Sequence, residues 1–184
     1  MSIVLQGSTS GSVTLQEPAV AGTTVLTLPA VSGNVLTDTS PKAGNVLQVV
    51  QASYGTEVTN STLTFADTGL TATITPTSSS SKILVIVNHP ECYKSPTSTE
   101  NSMKLNICRN GSQVVAFNHS LGYQASASRL AFSTSYTYLD SPASTSSVAY
   151  KTQFAQGEAA NSLVSVQWYG TSAPSTITLL EIAG

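Results

Sequence analysis

The sequence predicts an all-β fold, an antiparallel jelly-roll sandwich preceded by an extended N-terminal arm with short β-segments. Three observations predict it. Beyond about residue 43, apolar residues recur at every second position over eight or nine short stretches, the period of strands with one buried face. Ser, Gly, Asn and Pro punctuate these stretches where turns are needed. Helical periodicity is nearly absent: Ala155 to Asn161 offers one turn, and Gly157 interrupts it.

The arm is residues 1–42 and the head residues 43–184. The arm holds two acids (Glu17, Asp38), one base (Lys42) and no aromatic residue, so it has too little apolar bulk to close a core of its own. Val13-Thr14-Leu15 precedes Pro18-Ala19-Val20-Ala21-Gly22, and Leu26-Thr27-Leu28 precedes Pro29-Ala30-Val31-Ser32-Gly33, a near-repeat too short for a solenoid. The arm therefore reads as short β-segments joined by Gly and Pro turns and docked on a partner. Val13, Leu15, Val25, Leu26, Leu28, Val35 and Leu36 are its docking positions.

Within the head, Leu63 and Phe65 alternate with threonines, as do Leu70, Ala72 and Ile74. Ile83 to Val87 follows the Ser78-Ser79-Ser80-Ser81 tract, which lies between two good strands and reads as a loop inside the domain. Met103, Leu105 and Ile107 form one face of a strand that ends at Asn110-Gly111, a pair suited to the two positive-φ positions of a type I′ hairpin turn. That register sets Ile107 opposite Val114 and Leu105 opposite Ala116. Phe132, Tyr136 and Tyr138 share a face, as do Val148, Tyr150 and Phe154, and Val164, Val166 and Trp168. The last segment, Ile177 to Ile182, is apolar on both faces apart from Thr178 and Glu181, which suits a strand covered on both sides. Ile177, Leu179, Leu180 and Ile182 exceed what one sandwich core requires and are expected at an interface between subunits.

Composition excludes several functions. Of 184 residues, 7 are Lys or Arg and 9 are Asp or Glu, so 9% are charged, about a third of the usual share. Ser and Thr number 54, so hydroxyls supply the polarity. Seven scattered cations and a net charge of -2 make neither a nucleic-acid groove nor a patch for anionic lipid. The longest apolar run, Ile83 to Val87, is far short of the ~20 residues of a membrane helix. No secretory signal opens the sequence, and assembly in a cytoplasm is expected.

Candidate chemistry is sparse. His89, Cys92, Cys108 and His119 have a superficially zinc-like spacing, but the hairpin register separates Cys108 from His119, so no metal is expected. A Cys92–Cys108 disulfide would need Cα atoms within ~7 Å and an oxidising compartment. No G-x-S-x-G elbow, glycine-rich phosphate loop or dinucleotide fingerprint is present, and Glu91 and Glu100 flank a polar loop. The chain is expected to be non-enzymatic and to need no cofactor. Tyr93 and Tyr123, placed in loops by this reading, are the candidates for a binding surface.

Gly11-Ser12-Val13-Thr14-Leu15, Leu26-Thr27-Leu28-Pro29-Ala30 and Gly33-Asn34-Val35-Leu36-Thr37 resemble the N-terminal stretch of fibre and appendage proteins of tailed phages, especially those of marine and cyanobacterial hosts. Ser81-Lys82-Ile83-Leu84-Val85, Tyr138-Leu139-Asp140-Ser141-Pro142-Ala143, Tyr150-Lys151-Thr152-Gln153-Phe154 and the closing Ile177 to Ile182 look like their C-terminal head domain. That head is similar to the jelly rolls of the tumour-necrosis-factor and complement type. The resemblance implies a homotrimeric virion protein, assembled in the host cytoplasm, whose arm docks on a capsid or tail protein and whose head is free to adhere to a host surface, a glycan included. No shaft separates arm from head, so a short knob or capsid ornament fits as well as a tail fibre.

Overall fold

A computed structural model describes residues 3–16, 19–20, 41–95, 101–126, 128–157 and 162–184. The chain divides into two units, Met1–Val35 and Leu36–Gly184. In the first, β1 (Ile3–Gln6) and β2 (Ser12–Leu15) pair antiparallel, with Leu5 opposite Val13. Gly7 N–H bonds Gly11 O at 2.8 Å to close the turn, and Gly11 has a positive φ. Val4, Leu5 and Val13 are exposed on this hairpin. Leu15 ends β2; Val25, Leu26, Leu28, Val35 and Leu36 lie outside the described residues.

The second unit is built from β3 (Val46–Tyr54), β4 (Val58–Asn60), β5 (Ala66–Ile74), β6 (Lys82–Lys94), β7 (Asn101–Arg109), β8 (Ser112–Gln124), β9 (Leu130–Asp140), β10 (Val148–Gln156), β11 (Val164–Val166) and β12 (Ser175–Ile182). A 3-10 turn, Gly170–Ser172, precedes β12. One sheet runs β3-β12-β6-β9. Short β11 and β4 continue it past the end of β12, because β6 pairs with β12 over Lys82 to Asn88 and with β11 over Cys92 to Lys94. The other sheet runs β5-β10-β7-β8. Numbered one to eight in chain order, without the three-residue β4 and β11, the strands lie 1-8-3-6 in one sheet and 2-7-4-5 in the other. That winding is a jelly roll.

Alternation builds the core. Leu70, Ala72 and Ile74 from β5, Ile83, Val85 and Val87 from β6, Ile107 from β7, Val148 and Tyr150 from β10, and Ile177 and Leu179 from β12 meet between the sheets. A second cluster joins Cys92, Met103, Leu105, Phe154, Val164 and Val166, with Phe132 packed against it. Each large apolar side chain so enclosed contributes roughly 1.5–3 kcal/mol.

Several expectations are corrected. Ile177 and Leu179 are fully buried in the head's own core, because β12 lies between β3 and β6. They cannot also face another subunit; Leu180 and Ile182 point the other way and are half-buried. The strand is therefore covered on one face only. Leu63 is exposed and Phe65 half-buried in the turn region between β4 and β5, not on a strand. The hairpin turn is as expected, with φ of 49° at Asn110 and 86° at Gly111 and Arg109 opposite Ser112. A bulge at Val114 then shifts the register so that Ile107 faces Val115, and a second shift, at Phe117, sets Leu105 opposite Asn118. The serine tract is the loop from β5 to β6.

Candidate binding surface

The two outer faces of the sandwich differ. On the β5-β10-β7-β8 sheet, Lys151 Nζ and Gln153 Nε2 each donate to Asp67 at 2.8 Å, Asn106 Nδ2 donates to Gln113 Oε1 at 2.9 Å, and Cys108 Sγ–H reaches Gln153 Oε1 at 3.2 Å. The Lys151 ammonium holds the Asp67 carboxyl below its ordinary pKa. This face is knitted to itself by polar side chains.

The other sheet carries aromatic side chains at one end of its outer face. Tyr93 alternates with the core residue Cys92 and so projects outward from β6. After β11, Gln167 adopts a left-handed φ of 56° and Trp168 N–H bonds Glu91 O at 3.2 Å, which turns the indole back over β6. Trp168 stacks on Tyr93 with centroids 4.5 Å apart, and Tyr169 lies 4.7 Å from Trp168 at a 53° tilt. Arg129 Cζ is 4.8 Å from the Trp168 centroid and 5.5 Å from that of Tyr93. These separations are nearly equal, so the guanidinium flanks the stack; on the face of Trp168 turned away from Tyr93 it would stand much farther from that ring. Trp168 is half-buried and Tyr169 exposed. A half-open indole beside a guanidinium can stack on a planar or C–H-rich ligand face while donating to an anionic or hydroxyl group.

Tyr93 is thus at this surface, although on a strand. Tyr123 is also on a strand, β8, exposed and outside the cluster. Trp168, Tyr169 and Arg129 were missed, because alternation assigned Trp168 to the buried face of β11. The signal that could have found them is the Trp168-Tyr169-Gly170 sequence, an aromatic pair followed by a turn residue.

The zinc-like set is dispersed. Cys92 is in the core between the sheets, Cys108 on the outer face of the opposite sheet, and His119 is exposed on β8. Among the described residues no three His, Cys, Asp or Glu side chains gather to hold a metal. Both thiols are free and buried; burial pushes Cys92 up to about 12 and raises Cys108 as well.

His89 is instead the centre of a core network. Its Nδ1 lies 2.7 Å from Ser175 Oγ and its Nε2 3.2 Å from Thr152 Oγ1, which shares a 2.6 Å hydrogen bond with Thr68 Oγ1. Gln167 Nε2 donates to Ser175 Oγ at 2.8 Å. A hydroxyl against an imidazole has the composition of an activated nucleophile. Here both groups are fully buried and the second ring nitrogen faces Thr152, so the bonds join the sheets.

No protein-family model matches the chain, and no curated protein matches it. Solved structures that resemble it include chains from infectious bursal disease virus. The VP2 subviral particle is 12% identical over 74% of this chain and 38% of that one, with a TM-score of 0.37. The Gx strain is 12% identical over 95% and 43%, at 0.40, and the T13 viral particle 11% identical over 95% and 42%, at 0.39. The chain spans less than half the length of each of these chains.

Proposed function

We propose that the chain is a non-enzymatic structural protein of a tailed-phage virion, a short homotrimeric fibre, knob or capsid-decoration protein. Its N-terminal arm docks on capsid or tail, and its jelly-roll head is displayed outward. The observation that carries this reading is the unequal finish of the head's two outer faces: on one, Asp67, Lys151, Gln153, Asn106 and Gln113 engage one another, while the other leaves apolar and aromatic groups open. Such a block is finished for solvent on one side and for contact on the other. The arm motifs Gly11 to Leu15 and Gly33 to Thr37 support the same reading through their resemblance to phage appendage proteins. Imaging of intact particles that carry the tagged chain tests it. Density at fixed positions on head or tail is expected; a protein that purified particles lack sinks the proposal.

A second reading, favoured by the aromatic cluster, is a carbohydrate-recognition module at a fibre tip. Trp168 is the chain's one tryptophan, so its fluorescence reports this site alone. Titration with host-surface glycans should shift that emission, and Arg129→Ala should weaken the response. Unchanged emission at millimolar glycan would remove this reading while leaving the structural role intact.

A further inference from the structure

We infer that the outer face of the β3-β12-β6-β9 sheet, at the end away from Tyr93, is where the head meets a second copy of itself. The pairing registers place Val49 opposite Leu180, Leu180 opposite Leu84, and Leu84 opposite Leu139. Four apolar side chains therefore run in one row across four strands, on the face turned away from the core. Val49 is 59% and Leu139 50% exposed, whereas Leu84 and Leu180 are half-buried between them. Val46 and Ile182 extend the patch on one side of the row, and Ile86 on the other.

Beyond this row come two rows of neutral polar residues. Gln51, Thr178 and Thr137 accompany Ile86, and Ser53, Thr176, Asn88 and Ser135 follow. Gln51 Nε2 donates to Thr178 Oγ1 at 3.1 Å. Lys82, beside Ile182 at the corner, is the one charged side chain on these four rows.

Charge and size select the occupant. An acidic protein, a nucleic acid or an anionic lipid would find a single cation at the edge. The hydroxyls and amides, by contrast, both donate and accept, so the face is complementary to its own copy without burying a charge. Four strands ~4.8 Å apart and four rows ~6.8 Å apart cover about 500 Å² in projection. Two such faces together remove about 1,000 Å², the lower bound for a specific interface. The opposite sheet offers no comparable row, since Asp67, Lys151, Gln153, Asn106 and Gln113 engage one another there.

This inference rests on the proposed self-assembly and names its surface. Sedimentation equilibrium of the 184-residue, 19.0 kDa chain tests both. The native protein should sediment as an oligomer. Leu180→Glu should sediment as a folded monomer, and Thr73→Glu, on the outer face of the other sheet, should match the native protein. Leu180→Thr, which suits a strand and carries no charge, should weaken association about tenfold or more and covers the case in which the glutamate variant fails to fold. An oligomer that both Leu180 variants leave unchanged overturns the inference but not the assembly. A native dimer dissociated by these substitutions supports the surface and overturns the trimer, and a native monomer overturns both.

Discussion

Tyr150 donates its hydroxyl to Asp140 Oδ2 at 2.6 Å, a bond that crosses the sandwich from β10 to the end of β9. Arg109, on β7, donates Nη1 to both oxygens of the same carboxylate, at 3.1 and 2.9 Å. Asp140 is buried and Arg109 partly exposed. Burial and the neighbouring carboxylate push the Tyr150 phenol well above its ordinary pKa, so it remains a donor at any pH the protein meets. Tyr150→Phe should cost about 1.5–3 kcal/mol, the worth of a hydrogen bond to a charged group. Asp140→Ala should cost about 2–4 kcal/mol, because it strands the buried hydroxyl, while the solvent near Arg109 keeps the loss below that of a fully buried ion pair. Urea denaturation measures both. The double variant should cost less than the two single costs combined; additive losses would mean that the groups do not act as one clamp.

Gly69 and Gly111 both have positive φ, at 84° and 86°, but their surroundings differ. A Cβ on Gly69 would land on the Tyr54 ring, whereas at Gly111 it would enter open space. Gly111→Ala should therefore cost about 1 kcal/mol of backbone strain. Gly69→Ala should cost about 2–4 kcal/mol, since it also displaces an aromatic ring packed against the core. Equal shifts in the midpoint of thermal unfolding would contradict this account.

Truncation separates docking from folding. The head's first strand begins at Val46, and Gly44 N–H and Ala183 N–H bond Ala183 O and Asn45 O, each at 2.8 Å, fixing the entry to β3 against the C-terminus. Removal of residues 1–40 spares these bonds and should leave the head's melting transition in place while abolishing incorporation into particles. Removal of residues 1–48 should instead destabilise the head. Gln48 Nε2 donates at 2.6 Å to Glu181, a carboxylate on the core face of β12, and Thr77 N–H and Oγ1–H each donate to it at 2.7 Å. Burial raises the pKa of Glu181, and these donors more than reverse it. If the 1–40 truncation still joins particles at full occupancy, docking belongs to the head.

The strand pattern was legible because Leu70, Ala72 and Ile74, or Phe132, Tyr136 and Tyr138, keep a period of two for as long as a face stays buried. The hairpin was legible because Asn110-Gly111 is a local signal. Register was not, because the bulge at Val114 depends on how β8 meets β7, which no single strand encodes. The same limit hid Trp168, carried off its strand by one left-handed residue, Gln167. It also led Ile177 and Leu179 to be counted as surplus, although β12 is a central strand whose apolar residues the core consumes. Glu181 and His89 were opaque for the opposite reason: their polar partners, Gln48, Thr77, Ser175 and Thr152, come from distant strands and become neighbours only after folding.

Acid should destabilise the head over two pH ranges, the first of them set by His89. Burial holds this imidazole down to about 4 from an ordinary 6.5. The groups that bond it or extend its network are Ser175 from β12, Gln167 from the turn after β11, Thr152 from β10 and, through Thr152, Thr68 from β5; all are neutral. A proton on the ring therefore meets no compensating carboxylate among these partners. Because the folded pKa lies below the unfolded one, the unfolded chain binds the proton first. Stability is intact above about pH 6.5 and falls as the pH drops toward about 4, by on the order of 3 kcal/mol. Asp67 and Glu181, whose pKa values are lowered by their hydrogen-bond donors, hold their contribution above the ordinary carboxylate range and lose it only as the pH falls further. His89→Gln can keep one neutral hydrogen bond in the network and has no proton to gain. It should be less stable than the native protein at pH 7.5, yet flat from pH 6.5 to 4.5, where the native melting temperature declines. Parallel slopes for the two proteins in that window would show that His89 does not govern the acid response.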